Sequence, residues 1–289
     1  RDLSSGARVA PEFRDFLLDA VSLAALGAIA DVVPLIGENR VLASYGLRGL
    51  SASNAPGLRA LREAAGAADQ PLTGFDIAFK LAPRLNAAGR MGSAVQAVEM
   101  LITPDLDRAR EIAAHLNREN TRRQKLQEGI LADARGMIEE LGGAEARPAL
   151  VLAREGWHSG VIGIVAARIA ESYWRPTLML TLDGDRAHGS GRSVGAFNLF
   201  EALRKCSRRL TGFGGHARAA GLRLARCELD RFREEFEAAA EEALRPEDLA
   251  PVLDIDCEVR LPIITRPLVD EIGRLAPFGE GNAEPMLAA

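Results

Sequence analysis

The segment Asp105–Leu141 constrains the fold more than any other, because it contains no proline and its apolar residues recur at helical spacing among many charged ones. A helix over this range would extend about 55 Å, at about 1.5 Å per residue. Thr103 or Asp105 can cap its start, and Gly142 with Gly143 can end it. Such a helix is too long for one small core, so the pattern predicts a helix that connects two domains.

Composition fits two compact domains without a membrane span. The chain has 289 residues, of which 47% are hydrophobic, and its longest apolar run, Val21–Leu35, is interrupted by Asp31. The start at Arg1 has neither the basic nor the apolar part of a signal peptide, and a first residue other than Met predicts that the natural N-terminus lies upstream. The three cysteines form no CxxC pair, which favours reduced thiols and a cytoplasmic location. The net charge of −4 gives no overall argument for nucleic acid.

Patterning divides the chain into a helical part and an α/β part. Residues 12–100 predict mostly helices, with turns near Gly37, Pro56 and Gly74. After Pro148 strands and helices alternate, which predicts an α/β domain. The predicted strands are 149–153, 177–182, 186–190, 221–224 and 252–259, and the predicted helices are 161–172, 199–205 and 229–244.

Two motifs in the helical part carry groups that could act chemically. Asp31 lies within an apolar run and close to Pro34, so it is either a hydrogen-bonded or capping aspartate or a ligand for Mg²⁺ or Mn²⁺. In PRLNAAGRM, the donors of Arg84, Asn86 and Arg90 could hold a phosphodiester, and a solvated surface turn is the alternative.

The α/β part opens with the motif GWHSGVIG, placed between a predicted strand and a predicted helix. Backbone N–H groups at a helix N-terminus bind anions, and Trp157 could offer a face for base stacking. His158 fits either substrate binding or helix capping.

Two further glycine motifs predict a phosphate pocket. In GSGRS, the hydroxyls of Ser190 and Ser193 flank the guanidinium of Arg192. In FGGHARAAG, the glycines of the segment 214–215 allow close approach to a ligand and His216 can donate to a phosphate, while a tight turn is the alternative. None of these motifs is decisive by itself.

Their order is more informative, because GAIADVVPL, PRLNAAGRM, GWHSGVIGIVAARIAE, GSGRSV, FGGHARAAGLRL and LAPFGEGN together resemble RecJ-type exonucleases of the DHH/DHHA1 superfamily. The resemblance covers nearly the whole chain. It implies an α/β fold that comprises the C-terminal part of a DHH domain, a long connecting helix, a DHHA1 domain and the start of an OB-fold segment. The implied bounds are 1–103, 104–143, 144–246 and 247–289, in that order.

The resemblance also assigns roles. Asp31 corresponds to a catalytic metal ligand of a site for two Mn²⁺ or Mg²⁺ ions, whose other ligands are expected upstream of Arg1. The substrate residues that it implies are Arg84, Asn86, Arg90, Ser190, Arg192, Ser193, Gly214, Gly215 and His216. The motifs DxDxDG and DHH do not occur in the sequence, so this chain alone is expected to bind weakly and to lack nuclease activity.

The implied activity is 5′-to-3′ hydrolysis of single-stranded DNA in recombination and repair by a monomer. The implied partners are single-stranded DNA, a single-strand-binding protein and a helicase. Two alternatives stay open: a DHH phosphodiesterase for short oligonucleotides or cyclic dinucleotides, and a nucleic-acid-binding scaffold without catalysis. The long connector and LAPFGEGN argue against the first alternative.

Overall fold

A computed structural model describes residues 4–5 and 8–289. Its contacts divide the chain into two units, Arg1–Thr121 with Asp254–Ala289, and Arg122–Leu253. No helix within the described residues is both long and apolar enough to cross a bilayer. The mixture of helices with a sheet confirms the predicted α/β class, whereas the four domain bounds stay a prediction.

The first unit is mainly helical in its described part. Its two short strands, β1 (Ser4–Ser5) and β2 (Arg8–Val9), pair with each other. Its helices before the long one are α1 (Pro11–Ala30), α2 (Gly37–Ala52), α3 (Pro56–Ala64), α4 (Gly74–Asp76), α5 (Ala82–Met91) and α6 (Val95–Ile102). The C-terminal segment contributes β8 (Cys257–Glu258), α11 (Arg266–Gly273) and β9 (Leu287–Ala288).

Close packing of α1 against α2 depends on glycine. A Cβ atom at Gly46 would lie 2.3 Å from the Cβ of Ala25, and one at Gly49 would lie 2.2 Å from the hydroxyl of Ser22. Such separations are shorter than real atoms allow, so only glycine permits this spacing.

The long predicted helix is confirmed as α7 (Leu106–Glu140). Its start is capped by Asp105, whose carboxylate accepts the backbone N–H of Asp107 at 2.9 Å. Gly142 and Gly143 follow its end with φ angles of 88° and 92°, as a C-terminal glycine cap requires. The division of the two units falls within this helix, after Thr121.

The second unit is built on a five-stranded sheet in the order β3-β4-β5-β7-β6. The first two strands run parallel and the other neighbours are antiparallel. The strands are β3 (Leu150–Glu155), β4 (Thr177–Asp183), β5 (Arg186–Arg192), β6 (Leu210–Gly215) and β7 (Ala219–Ala225). The helices are α8 (Ser159–Tyr173), α9 (Leu199–Lys205) and α10 (Leu229–Ala243).

Side-chain alternation assigns the helices to opposite faces of this sheet. Ala187, Leu222 and Leu224 pack with α9 and α10 in one apolar core. Residues of opposite parity, such as Ser190, face α8, because a Cβ atom at Gly163 of α8 would lie 2.9 Å from the Ser190 hydroxyl. Helix α8 contacts β4 and β5, and β7 and β6 continue the sheet beyond β5.

Two predictions about strands were incomplete or wrong. Strand β6 is not predicted from the sequence, because its segment LTGFGG has three glycines and therefore low strand propensity. The predicted strand 252–259 is wrong over most of its length, because only Cys257–Glu258 pairs, with Leu287–Ala288. The remaining predicted strands and helices of the second unit are confirmed within a few residues.

Candidate functional site

The candidate metal ligand, Asp31, lies at the C-terminal end of α1. The N–H of Val33 donates to the carbonyl of Ala28 at 2.9 Å and that of Val32 donates to the carbonyl of Ile29 at 3.2 Å, which is the pattern of a Schellman cap. Glycine usually occupies the left-handed position of this cap, but here Val32 occupies it with φ 55°. A β-branched residue in this conformation is strained, and strain of this kind is concentrated at functional sites.

The carboxylate of Asp31 is exposed and, in the described part of the chain, its side chain makes no hydrogen bond or ion pair. The structure therefore gives no support to a hydrogen-bonded side chain, but Asp31 is the C-cap residue of α1, so the capping alternative stays open. A negative charge at a helix C-terminus is also unfavourable, because the helix dipole is negative at that end. A bound cation would offset this unfavourable interaction.

One hard oxygen ligand fits Mg²⁺ or Mn²⁺, but it does not make a complete site. Among the described residues, no group of three or more His, Cys, Asp or Glu side chains could hold a metal ion. Asp31 therefore fits a metal site only as one of several ligands.

The motif PRLNAAGRM forms helix α5, so the alternative of a surface turn is wrong. A π-helical turn (Ile77–Leu81) precedes it, and the N–H of Ala82 donates to Ile77. Pro83 has no N–H to donate to the regular ladder. The guanidinium of Arg84 donates to the carbonyl of Lys80 at 2.6 Å.

Arg84 is also held from a second side. Its Nε donates to Asn117 Oδ1 of α7 at 2.9 Å, and burial lowers the pKa of its guanidinium. Asn86 and Arg90, on the same helix, are exposed. Arg84 therefore has a fixed position at the start of α5, while Asn86 and Arg90 face solvent.

In the second unit, the phosphate-binding candidates Ser190 and Arg192 lie on β5. The Nη1 atom of Arg192 donates to the Ser190 hydroxyl at 3.0 Å and to the carbonyl of Gly191 at 2.7 Å. Gly163 of α8 makes this arrangement possible, because its Cβ atom would lie 2.9 Å from the Ser190 hydroxyl and 3.4 Å from Nη2 of Arg192. This role of Gly163 is not evident from the sequence, since Ser190, its neighbour in space, is 27 residues away in the chain.

The motif FGGHARAAG forms the end of β6, the connection to β7 and the start of β7. Gly215 has φ 143°, and its Cβ atom would lie 2.3 Å from the carbonyl of Ala219, so glycine is required there. The N–H of His216 donates to the same carbonyl at 2.8 Å, and its Nδ1 accepts the N–H of Arg218 at 3.3 Å. The side chain of His216 is exposed, with Nε2 available to a ligand.

The two phosphate motifs are brought together by backbone hydrogen bonds. The N–H of Ser193 donates to the carbonyl of Arg218 at 3.0 Å, next to His216. In the strand register Ser190 pairs with Gly221, which pairs with Gly214. The hydroxyl of Ser193 donates to the carbonyl of Phe197 at 2.6 Å and so stabilises its own loop.

Trp157 does not offer the predicted stacking face. Its side chain is only 5% exposed, and its Nε1 donates to the carboxylate of Asp133 at 3.1 Å. This burial contradicts the expected contact with a base, because the ring packs within the unit. His158 is the N-cap of α8, since its Nδ1 accepts the N–H of Gly160 at 3.1 Å.

A groove of about 490 Å³ lies beside these motifs on the sheet and was not recognised from the sequence. We call it the glycine groove. Its lining residues are His188, Gly189, Gly212, Phe213, Gly214, Gly221, Leu222 and Arg223. None of these lining residues is acidic, and two of them, His188 and Arg223, are basic.

A larger cavity of about 760 Å³ lies in the first unit. Most of its lining is apolar, and includes Val32, Val33, Phe75 and Phe79, but not Asp31. It has few groups that could orient a charged ligand, so the polar site of the second unit is the better candidate for an anion.

Comparison with known proteins agrees with this geometry. Residues 146–242 match the model of the DHHA1 domain. The chain is 39% identical over 276 residues to the single-stranded-DNA-specific exonuclease RecJ of Bacillus subtilis, and 38% identical over 269 residues to that of Thermus thermophilus. These matches cover 95% and 93% of this chain, but 34% and 38% of the relatives.

The fold of this chain is also similar to that of a solved RecJ structure. The crystal structure of RecJ from Thermus thermophilus in complex with Mg²⁺ matches with a TM-score of 0.82 at 35% identity, over 93% of this chain and 41% of that one. The chain thus spans between a third and a half of the length of the curated relatives that it matches.

Proposed function

We propose that this chain, which is related to the RecJ proteins over nearly all of its length and carries a DHHA1 domain, is the substrate-binding part of a metal-dependent exonuclease for single-stranded DNA. In this proposal the enzyme releases nucleotides from the 5′ end, and the second unit holds the terminal phosphate. The proposal draws on the names of the relatives together with the anion site on β5 and β6.

The observation that carries the proposal is the arrangement around Ser190. A hydroxyl, a guanidinium and two glycine backbones meet on adjacent strands, where Arg192 donates to Ser190 at 3.0 Å and Ser190 lies in register with Gly221 and Gly214. Guanidinium and hydroxyl groups are strong donors to phosphate oxygens. A terminal phosphate carries more charge than an internal one, which favours the 5′ end as the ligand.

For the chemical step, divalent metal ions such as the Mg²⁺ and Mn²⁺ of the solved relatives would activate water and neutralise charge on the phosphoryl oxygens. Asp31 would contribute one carboxylate to hold an ion. Ser190 and Arg192 would orient the terminal phosphate, and Arg84, Asn86 and Arg90 would contact the strand. Since no group of three or more metal-ligating side chains occurs among the described residues, we expect the chain by itself to bind DNA weakly without hydrolysing it.

The test of binding is Arg192→Ala in this chain. Loss of a charged hydrogen bond of about 1.5–3 kcal/mol predicts an affinity for a 5′-phosphorylated oligothymidylate that is at least tenfold lower, measured by fluorescence anisotropy. Arg231→Ala is the matched control, because Arg231 is an exposed arginine on α10, which packs on the opposite face of the sheet. Equal affinities of wild type and Arg192→Ala would remove Arg192 from the site.

The test of the metal role is Asp31→Ala in a polypeptide that also carries the other ligands. We expect the variant to lose turnover in Mn²⁺ while it keeps its affinity for the 5′-phosphorylated strand, because the phosphate contacts lie elsewhere. Wild-type rates in that variant would show that Asp31 does not hold the catalytic ion.

The proposal also includes the partners, the oligomeric state and the location of the enzyme. A helicase and a single-strand-binding protein are suitable partners, because an enzyme for single strands needs duplex DNA to be opened and kept open. We propose that the enzyme acts as a monomer in the cytoplasm during recombination and repair. Size-exclusion chromatography with light scattering would test the monomer, and a higher mass would contradict it.

A further inference from the structure

The motif LAPFGEGN, residues 275–282, lies in the first unit and is not used by the proposed function. We call it the closing loop. Its tip is a tight turn, in which the N–H of Gly279 donates to the carbonyl of Asn282 at 3.0 Å and the N–H of Asn282 donates to the carbonyl of Gly279 at 3.1 Å. Gly281 in this turn has φ 71°, a conformation that favours glycine. The backbone of the turn is therefore closed by its own hydrogen bonds.

The side chain of Asn282 fixes the base of the closing loop. Its Nδ2 donates to the carbonyl of Pro277 at 2.8 Å and to that of Leu275 at 3.0 Å. The carbonyl of Leu275 also accepts Nη2 of Arg40, in the first turn of α2, at 2.6 Å. Asn282 from within the loop and Arg40 from the helix thus hold the loop against the start of α2.

The tip of the closing loop contacts the segment that follows Asp31. The N–H of Leu35 donates to the carbonyl of Glu280 at 2.7 Å. A Cβ atom at Gly279 would lie 2.8 Å from Cδ1 of Leu35, closer than Cβ atoms are found in proteins. The side chain of Leu35 is only 3% exposed, so it has little room to move away. This close approach therefore requires glycine at position 279.

Contacts on both sides of Val32 restrain the backbone that carries Asp31. On one side, the end of α1 accepts the N–H groups of Val32 and Val33. On the other side, the closing loop holds Leu35, four residues after Asp31. Val32 has the left-handed φ of 55°, which a β-branched residue keeps only where the surrounding structure holds it. The orientation of the Asp31 side chain therefore depends on the contact between Leu35 and the closing loop.

We infer that the closing loop positions Asp31 for metal binding, and that Asn282 and Arg40 are positioning residues, which act on the carboxylate through the backbone of residues 32–36. The inference rests on the proposed function, because it takes Asp31 to be a ligand of Mn²⁺ or Mg²⁺. Groups that orient a metal ligand without binding the ion typically change metal affinity by about ten- to a hundredfold. Affinity for the ion thus depends on a loop that is distant from Asp31 in the sequence.

The first experiment measures amide hydrogen exchange on this chain without metal. Asn282→Ala removes two hydrogen bonds within the loop, and Arg40→Met removes the hydrogen bond between α2 and the loop. The control is Asn54→Ala, because Asn54 is an exposed asparagine in the connection between α2 and α3 of the same unit. We expect the amides of Val33 and Leu35 to exchange roughly fivefold faster in both loop variants and at the wild-type rate in the control. Urea denaturation checks that each variant is folded.

The second experiment uses a longer polypeptide that also carries the other metal ligands. Mn²⁺ binding is measured by electron paramagnetic resonance of the free ion, and DNA binding is measured by fluorescence anisotropy without metal. We expect Asn282→Ala and Arg40→Met to weaken Mn²⁺ binding about tenfold and to keep the affinity for a 5′-phosphorylated oligothymidylate. A loss of stability alone would reduce the fraction of folded protein and leave the dissociation constant for Mn²⁺ unchanged.

Two outcomes would overturn the inference while leaving the proposed function intact, in a polypeptide where Asp31→Ala loses turnover. One is wild-type exchange at Val33 and Leu35 in the folded loop variants, and the other is wild-type affinity for Mn²⁺ in both. If Asn282→Ala does not fold, Arg40→Met decides by the same two measurements. Wild-type turnover in Asp31→Ala would instead contradict the metal role in the proposed function, and the inference with it.

Discussion

The close approach of α8 to β5 at Gly163 gives a prediction that separates ligand binding from stability. A Cβ atom at this position would lie 2.9 Å from the Ser190 hydroxyl, closer than Cβ atoms are found in proteins. Gly163→Ala must therefore displace Ser190. We expect the variant to lose the hydrogen bond between Ser190 and Arg192, which is 3.0 Å long in the wild type.

Two effects on the free energy of unfolding oppose each other in this variant. Alanine in place of glycine within a helix stabilises by about 1 kcal/mol. Loss of a hydrogen bond to a charged group removes roughly 1.5 kcal/mol in a half-buried site. The net change in the free energy of unfolding for Gly163→Ala is therefore expected to be close to zero or a slight decrease.

The matched control is Gly129→Ala in α7, where a Cβ atom would meet nothing within 4 Å and the position is exposed. Helix propensity is the only effect expected at this position. We therefore expect the free energy of unfolding, measured by urea denaturation, to rise by about 1 kcal/mol and the affinity for DNA to stay unchanged. Gly163→Ala should show no gain in stability and an affinity for a 5′-phosphorylated oligothymidylate about tenfold lower. If both variants gain the same stability and bind as wild type does, Gly163 does not orient the site.

Two further predictions concern titration and thiol chemistry. Burial alone would raise the pKa of Asp76, but hydrogen bonds from Lys80 and Thr73 outweigh it and hold the pKa at about 2, below its ordinary value of 3.8. The ionised carboxylate therefore stabilises the first unit by about 2 kcal/mol above pH 4, and this contribution is lost as the pH falls from about 4 through 2. The variant Asp76→Asn should lack this part of the acid unfolding transition when the free energy of unfolding is measured at a series of pH values. Burial raises the pKa of the Cys206 thiol to about 11, whereas Cys227 and Cys257 are exposed. A thiol reagent at pH 8 should therefore label Cys227 and Cys257 rapidly and Cys206 only after unfolding. Rapid labelling of all three cysteines would contradict the buried position of Cys206.

Much of the fold could be predicted from local signals. The long helix was predictable because its caps, its lack of proline and its apolar spacing all agree over 35 residues. The predicted strand 252–259 was wrong because alternation of apolar residues indicates a strand only where a partner covers them. Val252 and Leu253 are instead 75% and 68% exposed.

The candidate site could be predicted only in part. Ser190, Arg192 and His216 could be predicted as candidates because glycine motifs mark them along the chain. His188 and Arg223 were missed, since 35 residues separate them and only the pairing of β5 with β7 makes them neighbours. Register between strands depends on long-range packing, which no short motif encodes.

The backbone around the candidate phosphate site is held by hydrogen bonds before any ligand binds. Ser190 and Arg192 lie on β5, and His216 lies in the tight connection between β6 and β7. Loops that become ordered when a ligand binds lose conformational entropy at that moment, and affinity falls accordingly. Here the backbone is already fixed by the β5–β7–β6 ladder when the domain folds. Under the proposed function, this small preorganised surface would hold the end of a strand with few contacts.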